Sequence, residues 1–240
     1  MKSTALARSI SSTGTAFYSL AVNEGFSRLF GLVDGETTEL LLVRHAEPDF
    51  RPVLKNAAAV DPPLTERGRC QAMRLAMRLR REKIDAIYTS TARAALETAA
   101  LVAAAKDMQM IRLPQIREVA LRAAARSEAD PARLAAEVAI RFVNQPRWDA
   151  IPWFEPSRQF RQRVIQAIEG IITHHPGKRV LAVTHQGVIN AYLSMVLDIG
   201  RDMFFQPEFT SLSVVRVLRD LYGVQNVNDY SHLLPTFTPR

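Results

Sequence analysis

Thr38 to Val43, TELLLV, is an apolar run that stops at the charged pair Arg44-His45. A short run without polar alternation predicts a strand buried on both faces of a parallel sheet. Similar runs at Asp85–Thr89 (DAIYT), Met108–Leu113 and Arg179–Thr184 (RVLAVT) predict three more strands. Between them the period changes to that of a helix. Ala72, Leu75, Ala76 and Leu79 form an apolar stripe after Thr65, while Arg69, Arg74, Arg78 and Arg81 lie largely off it. That pattern predicts an amphipathic helix over 66–81. Further helices are predicted over the Ala-rich 92–105, over 131–143, over 157–174 before Pro176-Gly177, and over 188–198. Ser211–Leu218 alternates and predicts a late strand. Alternating strands and helices predict a three-layer α/β/α sandwich around a mostly parallel sheet.

The 240 residues suit one such domain, placed here at 38–240. Residues 114–156 are punctuated by Pro114, Pro131, Pro146, Pro152 and Pro156, and predict an insertion or lid over the sheet edge. Residues 1–37 predict an N-terminal arm or helix. Its first 23 residues carry Lys2 and Arg8, are rich in Ser and Thr, and contain no acid. They lack the compact apolar core of a targeting peptide. Such an arm can dock on its own domain or on a second copy, making a homodimer one option.

Composition narrows the function classes. Apolar residues are 48% of the chain and charged residues 23%, the balance of a globular domain with a substantial core. Formal net charge is +7, from arginines that are scattered and not interleaved with aromatics. This excludes a nucleic-acid platform as the leading reading and leaves either a solvated basic surface or one that attracts anionic ligands. No stretch reaches the ~18 uninterrupted apolar residues of a membrane span. The single cysteine, Cys70, permits no intrachain disulfide and no cysteine-rich zinc site, which suits the cytoplasm.

Two of the predicted strands end in histidine: LLLV in Arg44-His45 and LAVT in His185. Adjacent strand ends in an α/β sheet would bring both to the edge where such sheets bind ligands. Neutral imidazole is a competent nucleophile near pH 7. A transferred phosphoryl group spreads negative charge over its oxygens and needs positive donors already in place. Arg44 offers a planar guanidinium fork. Gly187 allows close backbone approach, and the helix beginning there would aim free N–H groups at an anion. No metal or other cofactor is required for this chemistry.

The residues from Thr38 to Asp198 resemble the histidine phosphatase superfamily, the phosphoglycerate-mutase-like proteins. Arg44-His45-Ala46-Glu47 matches that family's Arg-His-Gly motif, with Ala for Gly. Pro63-Leu64-Thr65-Glu66-Arg67-Gly68 with Gln71-Ala72, Tyr88-Thr89-Ser90 with Glu97-Thr98-Ala99, and Val183-Thr184-His185-Gln186-Gly187 resemble its later blocks. The resemblance implies the phosphoglycerate-mutase-like fold. It implies a metal-independent phosphatase in which His45 is transiently phosphorylated, Arg44 and His185 bind the phosphoryl group, and water hydrolyses the phosphohistidine. The partner would be a phosphorylated small molecule or a phosphoprotein.

The sequence also departs from that pattern. Family members usually carry a second arginine at the position of Ala94, and the nearest arginine here is Arg93. Arg51 stands where mutase-like members have a phosphate-contacting asparagine. The expectation is that Arg51 or Arg93 faces His45. Glu118 resembles the family's general acid, but Ala120-Leu121-Arg122-Ala123 replace the usual Gly and aromatic residues after it; Glu47 is a second candidate. Thr65 either contacts phosphate or caps the helix behind it. His174, His175 and His232 are read as structural, and Trp148, Trp153 and Phe154 as lid packing or an apolar substrate wall. These departures leave an alternative, a catalytically weak member that binds a phosphorylated ligand or scaffolds a partner. A phosphoglycerate mutase is less well matched, because Pro48-Asp49-Phe50-Arg51 differs from the Ser-x-Trp-Asn of mutases.

Overall fold

The structure is a computed structural model and describes residues 37–51, 61–120, 131–145, 147–152 and 154–234. The expected N-terminal arm lies outside the described residues except for its last position, as do Trp153 and Arg122-Ala123.

Strand β1 (Thr38–Arg44) is the apolar run itself. Its Leu40, Leu41, Leu42 and Val43 are fully buried because both faces of the sheet are covered. The alternation of a strand sends them to two cores. Leu40 and Leu42 pack with Phe160, Val164 and Ile168 of helix α4 (Ser157–His174) and with Val188, Ile189 and Tyr192 of α5 (Gln186–Val196). Leu41 and Val43 pack with Leu75 and Leu79 of α1 (Glu66–Leu79) and with Ala95, Ala99 and Val102 of α2 (Arg93–Lys106). The result is the predicted three-layer sandwich.

With β2 (Ala86–Thr89), β3 (Met110–Arg112), β4 (Arg179–Thr184), β5 (Leu212–Leu218) and β6 (Leu221–Asp229), the sheet has the order β3-β2-β4-β1-β5-β6. The strands β3, β2, β4 and β1 run parallel, and β5 and β6 are antiparallel additions at the β1 side. The antiparallel edge strand β6 has no counterpart among the predicted elements. It is half-buried and bulged against β5, with Tyr222 and Val224 packing on the core between polar positions, so no apolar run marks it. The region 114–156 contributes a short 3₁₀ turn at Pro114–Ile116, helix α3 (Pro131–Asn144) and a second turn at Trp148–Ala150.

Helix α5 starts at Gln186, two residues before the predicted 188, so His185 occupies its N-cap position. Helix α1 is capped by Thr65, whose hydroxyl accepts the Gly68 N–H at 2.8 Å. Gly68 is required by space: a methyl there would collide with the Glu47 carbonyl.

Candidate active site

β1 and β4 are neighbours, with Arg44 beside Thr184, and β2 lies on the other side of β4. Their carboxyl ends therefore deliver Arg44-His45, His185 and Ser90 to one edge. The His45 N–H donates to Thr184 O at 2.9 Å, and the Ser90 N–H to Val183 O at 2.9 Å. The His45 and His185 ring centroids stand 5.0 Å apart, edge to face at 62°. Both rings line a cavity of about 770 Å³ together with Arg44, Glu118 and Gln186. Five of the sequence-predicted residues thus share one pocket.

The environment sets the state of each group. His45 Nδ1 lies 2.7 Å from Ala46 O, and a carbonyl can only accept, so Nδ1 carries the proton and Nε2 keeps its lone pair. Burial pulls the His45 pKa down to about 4, against the Ala46 hydrogen bond and helped by the Arg44 charge. His45 is therefore neutral at pH 7. His185 sits with Nε2 2.8 Å from the Ser90 hydroxyl. Burial, then the repulsion that would arise if His45 were also protonated, and the Arg117 charge, hold its pKa well below 6.5.

Arg44 is gripped by a distant segment. Its Nη1 donates to Pro207 O at 2.6 Å, and its guanidinium lies 4.0 Å over the Phe209 ring. Burial pushes the Glu118 carboxyl above its ordinary range, although it accepts N–H groups from Gly187 (3.0 Å) and Val119 (3.1 Å). A carboxyl whose pKa burial raises is shifted in the direction that suits a general acid.

The loop after the nucleophile, residues 45–49, is tied by side chains from the other motif segments. The Ala46 N–H donates to Thr98 Oγ1 and the Glu47 N–H to Gln71 Oε1, each at 3.0 Å. The Leu64 N–H donates to Glu97 Oε2 at 3.0 Å, and Leu64 bridges Pro48.

Three expectations are corrected. Arg51 does not line the cavity; it forks onto Asp49 at 2.7 and 2.8 Å in solvent, two residues away. Arg93 does not line it either, because its Nε pairs with Glu97 Oε1 at 2.8 Å, one helical turn on. Ala94, which occupies the usual arginine position, lines the pocket with only a methyl. The Gly187 N–H is not free for a phosphate, since Glu118 Oε2 holds it. The glycine serves that approach: a methyl there would collide with Glu118 Oε1 and Trp148.

The remaining histidines have local partners. His174 Nδ1 meets Gly170 O at 2.6 Å, and His175 Nε2 meets the Tyr88 hydroxyl at 3.0 Å. His232 lies between Arg78 and the Thr210 hydroxyl. Trp148, Phe154 and Phe142 pack edge-to-face and tilted against one another and also line the cavity, so packing and an apolar wall are one arrangement. Sequence reasoning missed Arg117 and Arg163 in the lining, and the grip of Pro207 and Phe209. Arg117 stood beside Glu118 in plain view, whereas nothing local links residue 207 to residue 44. Among the described residues no group of three or more His, Cys, Asp or Glu could hold a metal ion. No helix there is long and apolar enough to cross a membrane.

A family model for the histidine phosphatase superfamily (branch 1) matches residues 40–230. The chain belongs to the histidine phosphatase superfamily. Among its relatives in that superfamily, phosphoserine phosphatase 1 of Hydrogenobacter thermophilus is 29% identical over 203 residues, covering 81% of this chain and 94% of that one. A metal-independent phosphoserine phosphatase of Arabidopsis thaliana is 28% identical over 210 residues, covering 84% and 85%. Among solved structures, Bacillus stearothermophilus YhfR superposes with a TM-score of 0.69 at 30% identity, covering 81% of this chain and 98% of its own. The sheet with its flanking helices is the phosphoglycerate-mutase-like fold of this histidine phosphatase branch.

Proposed function

We propose that this histidine phosphatase hydrolyses a phosphate monoester through a phosphohistidine at His45. The observation that carries the reading is the fixed tautomer of His45. Its Nδ1 proton is tied to Ala46 O, and a neutral Nε2 is left in a pocket shared with Arg44, His185 and Glu118.

The Nε2 lone pair attacks phosphorus as the bond to the leaving oxygen breaks. Glu118 gives its proton to that oxygen, and Arg44 with His185 stabilises the equatorial charge. The Glu118 carboxylate then takes a proton from water as the water oxygen attacks phosphorus. The P–N bond breaks, returning neutral His45 and inorganic phosphate. Each step uses side chains alone, and the metal-independent phosphatase named among the relatives supports that economy. A phosphorylated small molecule suits a cavity of about 770 Å³ with the reacting groups at its inner end. A reducing compartment such as the cytoplasm suits the exposed, free Cys70.

The test compares native protein with His45→Ala on para-nitrophenyl phosphate, with and without EDTA. EDTA-insensitive turnover that His45→Ala abolishes is expected, with acid-labile phosphate trapped on His45. Native turnover no greater than the variant's on this and a panel of phosphate esters would overturn the reading.

A further inference from the structure

A phosphoryl dianion entering this pocket needs more positive charge than Arg44 brings. Arg44 already spends one donor on Pro207 O, and both histidines are neutral before the ligand arrives. Two other arginines among the described residues line the cavity, Arg117 and Arg163. Arg163 is committed: it forks onto Glu155 at 2.6 and 3.0 Å and donates to the carbonyls of Gln115 and Arg117. Arg117 is placed differently. Its backbone is fixed at both ends, with its N–H on Pro114 O (3.2 Å) and its carbonyl on Arg163 (3.1 Å). Its side chain is exposed and its guanidinium has no partner among the described residues.

Building on the phosphatase reading, we propose that Arg117 is the second phosphate-binding cation of this pocket, taking the place left empty by the alanine at position 94. The two arginines nearest in sequence to the expected places are held elsewhere by Asp49 and Glu97. Arg117 sits on the residue before the proton donor Glu118, so one short segment supplies both a charge and an acid. Its field already reaches the floor of the site: after burial and His45, the Arg117 charge depresses the His185 imidazole more than the Arg44 charge does. The carboxylate of Asp61 lines the same cavity and accepts the Arg93 backbone N–H, so it opposes the anion and adds to the need for a further cation.

The experiment measures binding of inorganic phosphate and orthovanadate by calorimetry, alongside kcat and KM on para-nitrophenyl phosphate. Native protein is compared with Arg117→Ala, Arg117→Lys, Arg51→Ala and Arg93→Ala. Arg117→Ala is expected to weaken both anions by about 10- to 100-fold, the range for a charged hydrogen bond to an anion. Arg117→Lys should recover part of the loss, and the melting temperature should stay near native, since the exposed guanidinium makes no hydrogen bond or ion pair with a described residue. Anion affinity unchanged in Arg117→Ala, or weakened more by Arg51→Ala or Arg93→Ala, would overturn the assignment. So would native protein that binds neither anion. Anion binding that needs Arg117 in a protein without turnover would sink the phosphatase reading alone. Turnover with binding indifferent to Arg117 would sink only this one.

Discussion

Glu118 reaches the first turn of the helix that follows His185, where its Oε2 accepts the Gly187 N–H at 3.0 Å. The proton donor and the second histidine are thereby locked to one another, although 67 positions separate them in sequence. The helix N-terminus that would serve a bound anion in other settings is here used to orient a carboxyl. Burial nevertheless raises that carboxyl's pKa, the direction that favours a proton donor.

Glu118→Gln should therefore separate leaving groups. An alkyl phosphate, whose alkoxide needs a proton, should lose about 10²–10⁴ in kcat. Para-nitrophenyl phosphate, with its good leaving group, should lose far less. The basic limb of the pH profile on the alkyl ester, set by ionisation of Glu118, should disappear in the variant. Equal losses on both esters would assign Glu118 a structural role.

Gly187→Ala tests the same contact from the other side. The added methyl meets Glu118 Oε1 and Trp148, so one of them must move. Overpacking of this kind costs about 1–3 kcal/mol. The variant should melt lower and show the leaving-group pattern of Glu118→Gln. A native melting temperature with native alkyl-ester turnover would show that the crowding is relieved without moving Glu118.

Much of this was legible in the sequence, for physical reasons. The run Leu40–Val43 announced a strand buried on both faces, and two strands ending in histidine announced the site. The motif residues Gln71, Glu97 and Thr98 were legible as a pattern. Their work, holding the backbone of residues 46, 47 and 64, needed coordinates. Arg93 misled because spacing alone does not say which partner a side chain prefers. Glu97, four residues on, offers an ion pair on the helix surface, and that local pairing wins. The hold of Pro207 and Phe209 on Arg44 was not legible, because 163 residues separate donor from acceptor. Strand β6 escaped because its inward apolar pair, Tyr222 and Val224, is too short to mark a strand among Gly223 and the polar residues that follow.

The buried and half-buried imidazoles predict acid sensitivity. His45 and His232 have pKa values lowered to about 4, and His185 lies well below 6.5, chiefly through burial in each case. In the unfolded chain these groups take up protons near pH 6.5. Between pH 6.5 and about 4 the unfolded chain therefore binds more protons than the folded one, and stability must fall as pH falls. Glu118 acts in the opposite sense, since its raised pKa withdraws stability as pH rises above 4.5, but it is one group against three. For His45 the loss across the window is on the order of 3 kcal/mol. Urea unfolding from pH 7.5 to 4 should show the native midpoint dropping steadily below pH 6.5. His45→Asn, with no proton to take up at that position, should show a shallower drop over the same range. An identical pH slope in the two proteins would mean that His45 takes up its proton at the same pH in the folded and unfolded chain, and the depression of its pKa by burial would be refuted.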